Sequence, residues 1–485
     1  MNNLHEVERW GTFELALDCT HKEGVTIEDY PLGNALFRKG SRKIAAGFFR
    51  DINGVTRVRF MPDEEGEWHY ELYGGFIDTI MGQSNGRIHC TAPGPNNHGP
   101  VDVGGSKQDF CYADGTAFFP FGTTCLQGYA GDQAEQTLSA LTGSPFNKVR
   151  FSMSSGGNST DFASLEQMIL QLMKLGIEVD LLLNLGNGES DEAFSNLFSQ
   201  TIARLAAYRN VWWSLPTEGD CYRFNKDEVL RLVQQNDPYG HLLTVHSSDP
   251  LFNFGHKAIT HVSLQCSDPS QLTYFAGLHH KPIIVEECGC EGDWPTLWGS
   301  LPGEEVVNRM WASACRKGFA SYGEKYMRDG VGTWQTHGGA LIGSAVPRIA
   351  FLRSILEDAP AGLRFMPEYY DAATIGRDGE YYLQFYGIHR FPSKQLLLPD
   401  GSYEVDIIDT WNMTINTLPG TYKGDVIVTL PSLMYHALRV RRLDKQPFSQ
   451  ERTSNIPFLI RSAEADDNFI RKAEKPGGRN GGEAQ

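Results

Sequence analysis

A multidomain chain of mixed α/β and β class, with a central (β/α)8 (TIM) barrel flanked by an N-terminal β-sandwich and a small C-terminal β-sandwich, is the fold that the sequence predicts. Three observations predict it. Apolar and polar residues alternate in short runs at the start of the chain, as in Thr56-Arg57-Val58-Arg59-Phe60. From about Phe110 to about Pro360 the pattern becomes apolar strand, helix, apolar strand, repeated down the chain. Beyond about Leu363 the two-residue alternation returns, as in Tyr403-Glu404-Val405-Asp406-Ile407-Ile408. A period of two marks strands with one covered face, whereas strands alternating with helices mark a parallel sheet.

The N-terminal domain takes residues 1–105. Its strands include Thr12-Phe13-Glu14-Leu15-Ala16-Leu17 and Trp68-His69-Tyr70-Glu71-Leu72, and the latter follows the turn cluster Pro62-Asp63-Glu64-Glu65-Gly66-Glu67. The Pro/Gly/Asn stretch Ala92-Pro93-Gly94-Pro95-Asn96-Asn97-His98-Gly99-Pro100 reads as a domain linker. The barrel takes 106–362, with strands at 118–123, 148–152, 179–184, 211–218, 242–246, 261–265, 283–287 and 320–323. Helical periods lie between several of them, such as Leu165-Met168-Ile169-Leu172-Met173 and Phe198-Ile202-Leu205. Eight strands in roughly 250 residues is the size of one such barrel. The C-terminal sandwich takes 363–445, and 446–485 is a polar tail containing Gly477-Gly478-Arg479-Asn480-Gly481-Gly482.

With 41% hydrophobic and 11% aromatic residues in 485, the chain is too apolar for a disordered protein and long enough for several cores. A net charge of −16, with no Lys/Arg block on any element, argues against a nucleic-acid or anionic-membrane partner. No run approaches the roughly 20 apolar residues of a membrane helix. The opening residues, Met1 to Trp10, lack a basic-then-apolar leader pattern, so a cytoplasmic location is expected. The nine cysteines are scattered and odd in number, with a single short pair, Cys288 and Cys290, which favours free thiols over a disulfide framework or zinc. No Gly-rich turn follows a strand and opens a helix, which disfavours a nucleotide-dependent enzyme.

In a (β/α)8 barrel the reactive side chains come from the C-terminal ends of the strands. The fourth strand ends in Trp212-Trp213-Ser214-Leu215-Pro216-Thr217-Glu218, and the seventh in Ile283-Ile284-Val285-Glu286-Glu287. Two carboxylates facing each other about 5 Å apart are what retaining glycoside hydrolysis requires, one neutral to protonate the leaving oxygen and one ionised to attack. On the seventh strand, alternation turns one of Glu286 and Glu287 into the barrel and the other toward the helices, and the pattern itself does not choose. Trp294 and Trp298, in the loop after Glu287, offer flat faces for sugar rings. One of Trp212 and Trp213 is expected to be core packing, and Glu291, Asp293 and Glu324 carry carboxylates that could bind sugar hydroxyls.

The segments Phe60-Met61-Pro62-Asp63-Glu64-Glu65-Gly66-Glu67-Trp68, Tyr112-Ala113-Asp114-Gly115-Thr116, Phe119-Pro120-Phe121-Gly122-Thr123-Thr124, Phe146-Asn147-Lys148-Val149-Arg150 and Tyr208-Arg209-Asn210-Val211-Trp212-Trp213-Ser214-Leu215 carry a resemblance. Over about residues 6 to 440 the chain resembles the apiosidase-like glycoside hydrolases, TIM-barrel enzymes related to the cellulase-like clan A that carry an N-terminal β-sandwich and a C-terminal β domain. The resemblance implies Glu218 as general acid/base and Glu287 as nucleophile. It places Arg150 where the clan holds an arginine that positions the nucleophile, and His246, Gln265 and Trp334 where the sugar is bound. One residue departs from the family: Thr217, preceded by Pro216, stands where an Asn usually precedes the acid/base and bonds the sugar 2-hydroxyl. A hydroxyl has a shorter reach and one donor, so either the 2-position is recognised differently or the activity is weakened.

The expectation is thus a retaining glycoside hydrolase acting on a small oligosaccharide or glycoside. No cofactor or metal is called for, and homo-oligomerisation is left open. The alternative is a carbohydrate-binding pseudoenzyme that keeps the pocket without turnover. A scaffold built on β domains would leave the pairing of Glu218 with Glu287 as coincidence.

Overall fold

Parallel strands joined edge to edge close into a barrel when the first pairs with the last, and this chain does so: Gly122 lies opposite Ser321. The structure, a computed structural model, describes residues 5–17, 33–74, 84–154, 161–184, 191–216, 226–328, 331–332 and 334–444. The chain divides into two units, Met1–Asp444 and Lys445–Gln485, and the second, which holds the expected polar tail, lies outside the described residues.

The barrel strands are β1 (Gly122–Thr124), β2 (Lys148–Ser154), β3 (Glu178–Asn184), β4 (Val211–Pro216), β5 (Leu243–Ser247), β6 (Val262–Gln265), β7 (Ile283–Glu287) and β8 (Phe319–Lys325). Each pairs with the next in sequence order. Helices α1 (Ala134–Thr142), α2 (Phe162–Lys174), α3 (Asp191–Leu205), α4 (Lys226–Asn236), α5 (Gln271–His279), α6 (Gly303–Ala314), α7 (Trp334–His337) and α8 (Ala345–Glu357) make the outer ring. The crossover from β5 to β6 has no helix, so the (β/α)8 alternation is interrupted there.

Helix α2 shows how the sequence builds the ring. Asp161 caps it, accepting from the N–H groups of Ala163 and Ser164 at 3.0 and 3.2 Å, and the chain leaves it through Gly176 at φ +68°. The predicted stripe Leu165, Met168, Ile169, Leu172 and Met173 is buried against the barrel wall, each side chain contributing about 1.5–3 kcal/mol of apolar burial.

The expected first strand at 118–123 is split. Pro120 lacks an N–H and cannot continue a ladder. Gly122–Thr124 joins the barrel, while Ala117–Phe118 pairs with Phe110–Tyr112, which in turn pairs with Val101–Val103. This small antiparallel sheet was not anticipated from the sequence. Its Val101, Phe110 and Phe118 pack with Trp212, Leu242, Ile284 and Phe319, residues at or next to the strand starts, and so close the N-terminal end of the barrel.

Among the described residues the N-terminal β layer has seven strands, ordered His5–Glu8, Asn85–Thr91, Gly66–Tyr73, Asn34–Lys39, Arg42–Arg50, Thr56–Phe60 and Phe13–Leu17. Its core centres on Phe37 stacked on Phe60 at 3.9 Å and on the buried Trp68. Arg59 fastens the layer to the barrel's helices: it donates to Glu166 of α2 at 2.6 Å, and Arg204 of α3 reaches the same carboxylate at 2.5 Å. The C-terminal region has a six-stranded sheet including Ala373–Arg377, Tyr381–Phe385, Tyr403–Asp409 and His436–Arg442, and a two-stranded sheet of Ser393–Leu397 with Asp425–Thr429. No helix among the described residues is long and apolar enough to cross a membrane.

Candidate active site

Alternation along β2 sends Val149, Phe151 and Met153 toward the helices, which leaves Lys148 and Arg150 on the barrel axis. A charge there must be paired, because burial strips it of water. Lys148 Nζ lies 2.8 Å from Asp180 Oδ2 on β3 and 2.7 Å from Glu286 Oε1 on β7. Arg150 donates through Nε to Asp180 at 3.0 Å and through Nη2 to Ser263 Oγ on β6 at 3.2 Å. Ser214 donates to Asp180 at 2.5 Å, and Ser321 to Glu286 at 2.7 Å. Burial works to raise the pKa of both carboxyls, but the charges of Arg150 and Lys148 outweigh it and hold each below the usual carboxylate range. All four charged side chains are at most 1% exposed, so this layer is a structural floor beneath the mouth.

Glu287 sits one step above that floor. The ladder between β6 and β7 slips here: Leu264 pairs with Val285 and Gln265 with Glu287, so Glu286 is the extra residue of a bulge. A bulge resets alternation, and both carboxylates therefore meet barrel residues, correcting the expectation that one would turn to the helices. Glu286 is fully buried, whereas the Glu287 side chain is 21% exposed. Its Oε1 faces His246 Nε2, at the end of β5, at 3.6 Å. Burial acts to raise the Glu287 pKa, and His246, Arg150 and Lys325 outweigh it, so the carboxyl is held below its ordinary value. No ion pair within 4.0 Å joins Arg150 to Glu287 among the described residues: the arginine is anchored on Asp180 and Ser263 and acts on Glu287 through its charge.

The other expected site residues are dispersed. Glu218 and Thr217 lie outside the described residues, which break off after Pro216 of β4. Gln265 is half-buried beside Glu287 in the β6–β7 ladder. Trp294 and Trp298 are half-buried in the loop after β7, and the Trp294 N–H bonds Lys325 O at the end of β8 at 3.2 Å. Trp334 is fully buried, its indole N–H donating to Thr123 Oγ1 at 2.7 Å, so it presents no open face to a sugar. Trp212 and Trp213 are both core: the first donates to Glu178 at 2.9 Å near the barrel floor, the second to Asp237 at 3.0 Å on the helix side.

Glu324 is also fully buried, and its carboxyl is occupied by protein groups. It accepts from the N–H of Gly343 at 2.7 Å and of Ile342 at 3.1 Å, and Tyr322 Oη is 2.9 Å away. The same Tyr322 hydroxyl lies 2.8 Å from Glu291 Oε2, and Glu291 also accepts from Ser344 N–H at 2.7 Å, just before α8. One hydroxyl hydrogen cannot serve two carboxylates. Burial, aided by the Glu291 charge, pushes the Glu324 carboxyl up to about 7 against these hydrogen bonds. Asp293 is exposed and accepts from Met327 N–H at 2.5 Å.

Lys148, Asp180, Ser263 and Ser321 were not singled out from the sequence. The signal for two of them is present in Lys148-Val149-Arg150 and Glu178-Val179-Asp180, where charges occupy alternate positions of apolar strands. No group of three or more His, Cys, Asp or Glu among the described residues is placed to hold a metal ion.

A barrel closed by eight parallel strands, with an ionised, partly open carboxylate at the end of the seventh, defines the class of site. Comparison with known proteins bears on that class. Two family models match pieces of the chain, each a domain of unknown function: DUF5060 over residues 6–74 and DUF5605 over residues 370–441, on either side of the barrel. No curated protein matches the chain. Among solved structures, one described as a "putative glycoside hydrolase" from Bacteroides vulgatus ATCC 8482 is similar at 27% identity and a TM-score of 0.82, over 90% of this chain and 100% of that one. A glycoside hydrolase family 5 protein from the same organism is 15% identical with a TM-score of 0.60, over 76% of this chain and 99% of that one. A third structure, named glycoside hydrolase, is 13% identical with a TM-score of 0.59, over 73% and 100%. The last two share the fold with this chain.

Proposed function

We propose that the chain is a retaining glycoside hydrolase that cleaves a small oligosaccharide or glycoside through a glycosyl-enzyme intermediate. The observation that carries this reading is the state of Glu287: at the mouth end of β7, partly open, and kept ionised by His246, Arg150 and Lys325. An ionised carboxylate in that position is the nucleophile such chemistry needs. The likeness to a 27% identical structure over most of both chains supports the same class of activity.

In this reading Glu287 attacks the anomeric carbon while Glu218, two residues beyond Pro216 in the sequence, protonates the departing oxygen. Glu218 then takes a proton from the water that releases the sugar. Gln265 bonds sugar hydroxyls, Trp294 and Trp298 supply apolar faces, and Thr217 takes the place next to the 2-hydroxyl.

The test is hydrolysis of a panel of aryl pyranosides and furanosides in both anomeric forms by wild type, Glu218→Ala and Glu287→Ala. Turnover of one sugar by wild type, lost in Glu287→Ala and least impaired in Glu218→Ala on substrates with good leaving groups, is the expected result. Wild-type rates in both variants would refute it. Sugar binding without product in wild type would instead make the chain a binding protein.

A further inference from the structure

Resting on the proposed role of Glu287, we infer that Ser263 and His246 form a positioning relay for it, in which Ser263 holds His246 in the tautomer that presents Nε2–H to the Glu287 carboxylate. The inference comes from counting hydrogens. Arg150 Nη2 donates to Ser263 Oγ at 3.2 Å, and a guanidinium can only donate. The serine oxygen is therefore an acceptor in that bond, and its own hydrogen is free for another partner. The partner in reach is His246 Nδ1, at 3.2 Å. Ser263 is fully buried, so a hydroxyl hydrogen not given to Nδ1 would have no acceptor among the described residues, at a real desolvation cost.

If the serine donates to Nδ1, that nitrogen is the acceptor of the neutral ring, and Nε2 carries the hydrogen. Nε2 is buried with no hydrogen-bond partner among the described residues, and it points to Glu287 Oε1 at 3.6 Å. The opposite tautomer would aim a lone pair at an ionised carboxylate. The gap is longer than a hydrogen bond, and such contacts commonly tighten when substrate arrives. Among the described residues the titratable groups facing Glu287 are His246 from β5, Arg150 from β2 and Lys325 from β8, each favouring its ionised form, and the Cys290 thiol. The chain Arg150–Ser263–His246–Glu287 thus links the buried charge layer to the open carboxylate through one serine hydroxyl.

Nitrogen-15 NMR of histidine-labelled protein tests this without any turnover, with His246→Gln assigning the signal. The expected wild-type spectrum shows a pyridine-like Nδ1 and a pyrrole-like Nε2 at His246, and a pyrrole-like Nδ1 would overturn the proposal. Carbon-13 titration of the Glu287 carboxyl is the second readout. In Ser263→Ala its midpoint should move up by about one pH unit, the tenfold that an ordinary hydrogen bond carries, and Ser263→Thr should restore it. An unmoved midpoint in Ser263→Ala would overturn the relay. On an active substrate the acidic limb of kcat/KM should move up with that midpoint. A protein with the expected spectra and no hydrolysis on any glycoside would remove the glycosidase reading and leave the relay standing.

Discussion

The N-terminal end of the barrel is closed by Phe110 and Phe118 of the small antiparallel sheet with Trp212 of β4 and Ile284 of β7, whereas the next level along the axis carries Lys148 and Arg150 of β2, Asp180 of β3 and Glu286 of β7. The apolar end gains its stability from area removed from water, with no demand on direction. The charged layer must overcome desolvation before it gains anything, and what it returns is orientation: Lys148, Arg150, Asp180 and Glu286 each bond a partner on a different strand. A reactive carboxylate placed above such a layer inherits a defined field, which an apolar floor could not supply.

Substitutions at the two levels should separate these roles. The largest effect is expected at the mouth, where Glu287→Gln should cost several powers of ten in kcat/KM while the unfolding midpoint in urea stays near wild type. In the charged layer Lys148→Met leaves Asp180 and Glu286 buried with one cation fewer, and should lower stability by about 3–5 kcal/mol, measured by urea unfolding. At the closed end Phe110→Ala should cost about 3 kcal/mol without changing kcat/KM per folded molecule, and a catalytic defect there would blur the comparison. The smallest effect concerns Glu324, whose folded-state pKa is about 7 against an ordinary 4.5. The folded protein then holds a proton that the unfolded chain releases, so this stabilisation is fully present below about pH 4.5 and is lost as pH rises through about 7, by roughly 3 kcal/mol at most. Glu324→Gln should flatten stability across that window.

Much of the barrel was legible because its strands are apolar runs and its helices apolar stripes, and seven of the eight strand positions fell where expected. The first failed at Pro120, since a continuous apolar run, Phe118-Phe119-Pro120-Phe121, hides the loss of one donor. The closing sheet was missed because its strands are two or three residues long and set among turns. At the site, the pair Glu286 and Glu287 was visible as carboxylates at a strand end, while the choice of Glu287 and the place of His246 came from the family resemblance, and the bulge that brings both carboxylates to the same side is a ladder event with no local sequence mark. Trp334 and Glu324 were expected near sugar by position along the chain. Burial and hydrogen bonding to Thr123, Ile342 and Gly343 depend on segments distant in sequence, which strand-end position does not report.

The shared carboxylate of Glu166 also has a consequence for how the molecule comes apart. Because Arg59 of the β layer and Arg204 of α3 bond the same acid on α2, peeling the layer away leaves that acid half-paired and exposes the Phe49 and Tyr208 rings over which the Arg59 guanidinium lies. Loosening the layer therefore weakens the α2–α3 wall of the barrel, and the two should melt as one cooperative block, so that the N-terminal strands act as a brace on the barrel's outer side.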